Sequence, residues 1–158
     1  MKIKKRYFLN KKKLRAIKED LGDYSIIISP KSKVEMVEAE PNDIILVDGA
    51  PHIMLIDNKP YPTLKAGLTL ELDKKYVIVD AGAVRFMVNG ADVMSPGIVE
   101  ADPEIKPDDV VFILDEQHHK PLAVGISLIT GHEMVDADSG KAIKSLHFVG
   151  DDIWNMEF

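Results

Sequence analysis

The segment from Tyr76 to Val99 reads YVIVDAGAVRFMVNGADVMSPGIV, and the meaning of the rest of the chain follows from it. Its apolar opening, Tyr76 to Val79, has the β-branched character of a buried strand. Asp80 then stands where a carboxylate can accept the free N–H groups of a following helix. Ala83, Val84, Met87, Val88 and Ala91 recur at three- and four-residue steps, the spacing of one apolar helix face, and Phe86 is expected beside them as a buried anchor. Gly90 stands at the helix stop, because glycine enters the left-handed conformation without a Cβ penalty. Val93 to Ile98 encloses a Pro96-Gly97 turn between apolar ends, with Met94 and Ile98 expected in the core. The unit is a strand, a short helix, a glycine stop, a tight turn and a second strand.

Downstream, Lys106-Pro107-Asp108-Asp109 is a turn before the apolar strand Val110–Leu114. Asp115 to Lys120 makes a polar hairpin tip, and Leu122–Ile129 returns as a strand. Gly125 inside that strand marks a bulge or a close backbone approach. Gly131–Lys141 reads as a polar loop, Ala142–Val149 as another strand, and Ile153-Trp154-Asn155-Met156 as a last short one. Short strands at regular spacing with one helix between them indicate a small, partly closed β-barrel.

Upstream, Lys2–Phe8 reads as a short strand or an ordered arm. Asn10 is placed to cap a helix through Leu21, with Leu14, Ile17 and Leu21 on its buried face and Gly22 ending it. β-like runs follow at Tyr24–Ser29, Val34–Ala39, Ile44–Asp48 and His52–Ile56, separated by turn signals at Asp48-Gly49-Ala50-Pro51 and Asp57-Asn58-Lys59-Pro60. Tyr61-Pro62-Thr63 leads into a short helix around Leu64 to Leu68. The expected organisation is α+β in two domains: residues 1–73, an N-terminal α+β unit, and 74–158, a barrel with a C-terminal strand extension.

The 158 residues carry a net charge of −6, unevenly spread. Residues 1–18 hold nine of the 20 basic side chains and none of the 26 acidic ones, which leaves the remainder at −15. A basic segment of Lys4, Lys5, Arg6, Lys11, Lys12, Lys13 and Arg15 on an acidic body suits a polyanion, although a solvated lysine-rich helix would look the same. The chain has no cysteine, so disulfides and thiolate metal sites are excluded. With no secretory or membrane-spanning segment in the pattern, a cytoplasmic location is expected.

No catalytic pattern emerges. The histidines, at 52, 118, 119, 132 and 147, include no helical His-x-x-x-His pair. Asp136 and Asp138 before Gly140 lack the closing glutamate of a calcium loop. No nucleophile elbow or phosphate loop occurs. No enzymatic activity, metal or cofactor is expected.

The pattern Asp80-x-Gly82-Ala83 … Gly90-Ala91-x-Val93-Met94-x-Pro96-Gly97-Ile98 resembles the signature of the PUA domain, an RNA-binding module. Tyr61-Pro62-Thr63-Leu64, Leu146-His147-Phe148 and Asp152-Ile153-Trp154-Asn155-Met156 further resemble the malignant T-cell-amplified oncoprotein family and point to an archaeal member. The resemblance implies a PUA pseudo-barrel over 74–149 after a pre-PUA domain. It implies an RNA cleft with Gly82, Ala83, Arg85, Gly90, Ala91, Met94, Pro96 and Gly97 on one side and Lys144, Ser145 and His147 of the final strand on the other. It implies binding of transfer or ribosomal RNA in translation, at the small ribosomal subunit and beside an initiation-factor-like protein. One departure is Asp108-Asp109, where PUA domains usually carry Gly-Asp; aspartate tolerates the left-handed conformation better than most residues.

From the residues alone, glycines at 82, 90 and 97 would let a sugar–phosphate backbone approach, and helix-start N–H groups could donate to it. The same glycines are equally explained by helix packing, capping and turning. A protein-interaction scaffold with an idle cleft, or an accessory specificity subunit of an RNA-modifying enzyme, are the competing readings.

Overall fold

The computed structural model describes residues 2–158. They form two compact units, one of residues up to Thr69 together with Asn155–Phe158, the other Leu70–Trp154.

The first unit is a five-stranded antiparallel sheet in sequential order, β1 (Lys2–Phe8), β2 (Val34–Glu40), β3 (Ile44–Val47), β4 (Ala50–Ile56) and β5 (Lys59–Pro62). Helix α1 (Lys11–Leu21) begins at Asn10, whose side chain accepts from the Lys13 amide, and stops at Gly22 with φ of +56°. Its buried Ile17 and Leu21 join Val34, Met36, Ile45, Val47 and Ile53 of the sheet in one core. Four lysines or arginines crowd its N-terminal half (Lys11, Lys12, Lys13 and Arg15) and no acid complements the first turn.

Two expectations fail here. Tyr24–Ser29 is not a strand; Gly22–Ile27 forms a 3₁₀ helix that continues directly from α1. Lys59-Pro60 is not loop but the start of β5, because Asp57 and Asn58, both at positive φ, complete the hairpin turn by themselves. Proline is tolerated in β5 because this strand forms the sheet edge. After it, Thr63 caps the short helix α2 (Leu64–Gly67).

The second unit is a near-barrel sheet in the order β7-β11-β10-β9-β6-β8, with short helices. Its strands are β6 (Tyr76–Val79), β7 (Val93–Met94), β8 (Ile98–Ala101), β9 (Val110–Asp115), β10 (Pro121–Ser127) and β11 (Lys141–Phe148). β6 and β9 run parallel and every other pair antiparallel. Val77, Val79, Met87, Val93, Ile105, Val111, Ile113 and Ile143 are among the side chains that fill the interior.

Gly125 is where β10 shifts register against β11, and a Cβ there would stand 2.5 Å from Ile143 Cγ2 and 2.7 Å from the Lys144 carbonyl oxygen. The glycine is therefore required by the neighbouring strand. Asp108 adopts φ of +73°, so aspartate keeps the left-handed turn before β9.

The polar segment 131–141 is not all loop. Gly131–Asp136 is helix α4, started by a capping box in which Thr130 Oγ1 accepts from the Glu133 amide and the Glu133 carboxylate accepts from the Thr130 amide. The Thr-x-x-Glu spacing was legible, but the helix is short and offers little apolar periodicity. Nor is Ile153–Met156 a strand. The chain turns there, because Asp151 accepts from the amides of Phe148 and Trp154 and so closes the backbone on itself.

Candidate functional site

Helix α3 (Ala81–Met87) is built as its sequence predicts. Asp80 Oδ1 accepts from the Ala83 amide at 2.9 Å. At the other end the Ala91 amide reaches the Phe86 carbonyl at 3.0 Å and the Gly90 amide reaches Met87 at 2.9 Å. With Gly90 at φ of +89° this is a Schellman stop. The Asp80 amide donates to the Gly97 carbonyl, and a Cβ on Gly97 would lie 2.9 Å from Ala83 Cβ. Helix and Pro-Gly turn are thus held in close contact.

Between them lies a largely apolar cavity of about 720 Å³, lined by Asp80, Gly82, Ala83, Phe86, Met87, Ala91, Asp92, Val93, Met94, Pro96, Gly97 and Lys141. Six of the sequence-predicted residues line it: Gly82, Ala83, Ala91, Met94, Pro96 and Gly97. Gly82 is there without an architectural need, since a Cβ on it would meet only Asp80 Oδ1, at 3.4 Å.

The remaining predicted residues are placed otherwise. Arg85 is exposed next to the cavity, its guanidinium carbon 5.0 Å from the centroid of the Phe86 ring. Gly90 faces the Phe148 ring, which a Cβ would approach to 3.0 Å, and is therefore structural. Lys144 is exposed on β11, and Ser145 donates its amide to Asp92 Oδ1 at 2.8 Å. His147 does not face a cleft. It is 1% exposed, with Nδ1 2.8 Å from Asp151 Oδ2, because its position on β11 points it inward.

Two further expectations reverse in favour of the cavity. Phe86 is 56% exposed and Met94 49% exposed, so neither is core. At about 100° per residue, Phe86 lies roughly 130° from the centre of the Ala83–Val84–Met87–Val88 stripe, a signal the sequence did carry. Met94 is the outward residue of a two-residue strand. Of the helix-start N–H groups, that of Ala83 is not offered to a ligand, since the Asp80 side chain caps it.

Sequence reasoning missed Asp92 and Lys141. Asp92 Oδ2 holds Lys141 Nζ at 2.9 Å while its other oxygen takes the Ser145 amide, which fastens the loop after α3 to β11. The Lys141 hydrogen bond leads the causes that hold the Asp92 carboxyl below its ordinary range. No local signal marks this pair.

In the first unit the basic residues split into two groups. Lys4 pairs with Glu40 at 2.6 Å and Arg6 grips Glu35 through two hydrogen bonds. Lys5 from β1 and Lys13 from α1 instead converge on the Tyr7 ring, 5.0 and 5.9 Å from its centroid. Lys11, Lys12 and Arg15 are exposed on α1, and Phe8 beside them is 66% exposed. Among the described residues no group of three or more His, Cys, Asp or Glu side chains could hold a metal ion, and no helix is long and apolar enough to cross a membrane.

The fold and the cavity define a PUA-domain protein: the PUA domain model matches residues 75–149, and the Domain of unknown function (DUF1947) matches residues 5–69. An uncharacterised protein of Methanocaldococcus jannaschii is 52% identical, covering 99% of both chains. The crystal structure of a hypothetical protein from Pyrococcus horikoshii superposes with a TM-score of 0.84 at 36% identity, over 95% of this chain and 98% of that one. Translation machinery-associated protein 20 of Saccharomyces cerevisiae is 29% identical over 82% of this chain and 76% of its own length. The chain belongs to the family of PUA-domain proteins that includes translation machinery-associated protein 20 and the malignant T-cell-amplified sequence proteins.

Proposed function

We propose that this protein is a non-catalytic RNA-binding protein of the translation apparatus, which seats an unpaired stretch of transfer or ribosomal RNA in the α3 cavity. The observation that carries the reading is the cavity itself. It is apolar, bordered by an exposed aromatic ring, and opened by a glycine at 82 that the packing does not require. RNA is recognised chiefly through splayed bases and sugar hydroxyls, for which such a cavity is suited without any excess of positive charge. Gly82, Ala83, Ala91, Met94, Pro96 and Gly97 form its walls, with Lys141 as a cation in the lining and Arg85 against the Phe86 ring. Lys5, Lys11, Lys12, Lys13 and Arg15 add a sequence-independent phosphate contact from the first unit. The translation role rests on the name of the yeast relative, a cytoplasmic location goes with that role, and a small-subunit site beside an initiation-factor-like partner rests on the family resemblance.

The test is fluorescence anisotropy with labelled tRNA, intact or stripped of its single-stranded acceptor end, over a salt series. Intact tRNA should bind more tightly, and Gly82→Gln, which fills the cavity mouth at a position with room for a side chain, should erase the difference. No saturable binding near ~0.1 M salt would refute the reading.

A protein-interaction scaffold is the alternative, favoured by the −15 balance outside residues 1–18. Ribosome association that survives nuclease treatment would support it.

A further inference from the structure

The two edges of the first unit's sheet differ. β5 is four residues long, and two of them, Pro60 and Pro62, have no N–H to offer a further strand. β1 is seven residues long, contains no proline and carries no strand on its outer side. The register fixes which of its backbone groups face outward. Leu9 donates its amide to the Val34 carbonyl, and Tyr7, two residues back, lies opposite Met36, so both direct their backbone groups to β2. Arg6 and Phe8 alternate with them and turn N–H and C=O away from the sheet.

The side chains at that edge limit what can pair there. Lys5 and Tyr7 share one face, and Lys13 of α1 joins them, the two ammonium groups lying 5.0 and 5.9 Å from the ring centroid. Glu38, opposite Lys5, accepts from the Tyr7 hydroxyl at 3.4 Å. The ion pairs of β1 belong to Lys4 and Arg6 instead, with Glu40 and Glu35. On the other face Phe8 is 66% exposed.

An added strand therefore meets uncompensated positive charge on one face and an uncovered aromatic ring on the other. Opposite charges across adjacent strands attract and like charges repel. A second copy of β1 would bring more cations to Lys5 and is rejected, as is any strand without acids; edge lysines deter indiscriminate pairing in this way. A nucleic acid can neutralise the lysines but has no alternating N–H and C=O groups with which to answer Arg6 and Phe8.

We propose that the outer edge of β1 is a docking site for an extended acidic segment of a partner protein, which adds a strand to the sheet. Acidic residues of the segment face Lys5 and Lys13. The apolar residues that alternate with them cover Phe8 and bond to the backbone of Arg6 and Phe8. The site lies in the first unit and does not depend on the RNA reading of the α3 cavity.

The experiment follows amide hydrogen exchange of the isotopically labelled full chain by NMR. The probe is a blocked peptide in which glutamates alternate with valine, phenylalanine and valine. At ten times its Kd the peptide should slow exchange at Arg6 and Phe8 about tenfold and leave Tyr7 and Leu9, already bonded inward, unchanged. The same peptide N-methylated at its apolar residues keeps its charge but has no N–H on the pairing side. It should bind at least about tenfold more weakly. Lys5→Glu combined with Lys13→Glu should lose the acidic peptide and take up its lysine counterpart, which also shows that the variant folds.

Equal affinity for the N-methylated peptide, or unchanged exchange at Arg6 and Phe8, would reduce the contact to charge alone and overturn the proposal. Absence of saturable binding would do the same. Slowing of these amides by protein concentration alone would assign the edge to a second copy, and slowing by oligouridylate would assign it to nucleic acid. Either result overturns the proposal and leaves the α3 cavity untouched.

Discussion

Replacing Asp151 by asparagine should destabilise the second unit by about 2–3 kcal/mol near neutral pH, and most of that loss should disappear in acid. Asp151 accepts from His147 Nδ1 at 2.8 Å, the Phe148 amide at 2.9 Å and the Trp154 amide at 2.8 Å. His147 is 1% exposed, so its ring N–H has no water to turn to when the carboxylate is lost. A hydrogen bond to an ionised group contributes about 1.5–3 kcal/mol, and asparagine retains one accepting oxygen of the two. Asp151→Ala retains neither and should cost about 3–5 kcal/mol. Burial pushes the Asp151 carboxyl up, but the bonds from His147 and the two amides outweigh it and hold it below its ordinary 3.8. A carboxyl with a depressed folded value stabilises fully above the unfolded value and loses that contribution as pH falls through the folded one. The gap between the natural protein and Asp151→Asn should thus be constant from about pH 7 to pH 5 and shrink well below 3.8. Trp154, the one tryptophan of the chain, sits in the turn that Asp151 closes. Its fluorescence followed through urea unfolding reads the loss directly, as a midpoint lowered by about 1–2 M. A gap under about 0.5 kcal/mol at pH 7, or one that does not shrink in acid, would refute the account.

Gly125→Ala should cost about 1–3 kcal/mol in the same assay, since its Cβ would overlap Ile143 Cγ2 and the Lys144 carbonyl and force the β10–β11 pair apart. Thr130→Ala removes one half of the α4 capping box and should cost about 1 kcal/mol. Joint replacement of Lys5, Lys11 and Lys12 by alanine should reduce the salt dependence of tRNA binding by about two in slope. The pair Lys4→Ala and Arg6→Ala should change it less, because Glu40 and Glu35 already occupy those cations.

The chain's sequence determined by itself whatever depends on neighbours a few residues apart. Asn10, Asp80 and Gly90 act through bonds to backbone groups within one helical turn, so their caps and stops follow from residue type and spacing. The strands of the second unit were equally legible, because a buried strand is apolar along its own length. Even the outward turn of Phe86 was present in the helical angle. Tertiary structure decided the rest. Asp92 meets the Ser145 amide across 53 residues, and nothing near Asp92 foretells the partner. His147 looks like a cleft residue beside Lys144 and Ser145, yet strand direction turns it to Asp151. Gly90 has a local role in the helix stop and a second, against the Phe148 ring, that only the closed sheet creates. A cavity is a relation between surfaces: helix, turn and strand each contribute a wall to this one, and its volume and charge exist only once those walls are brought together.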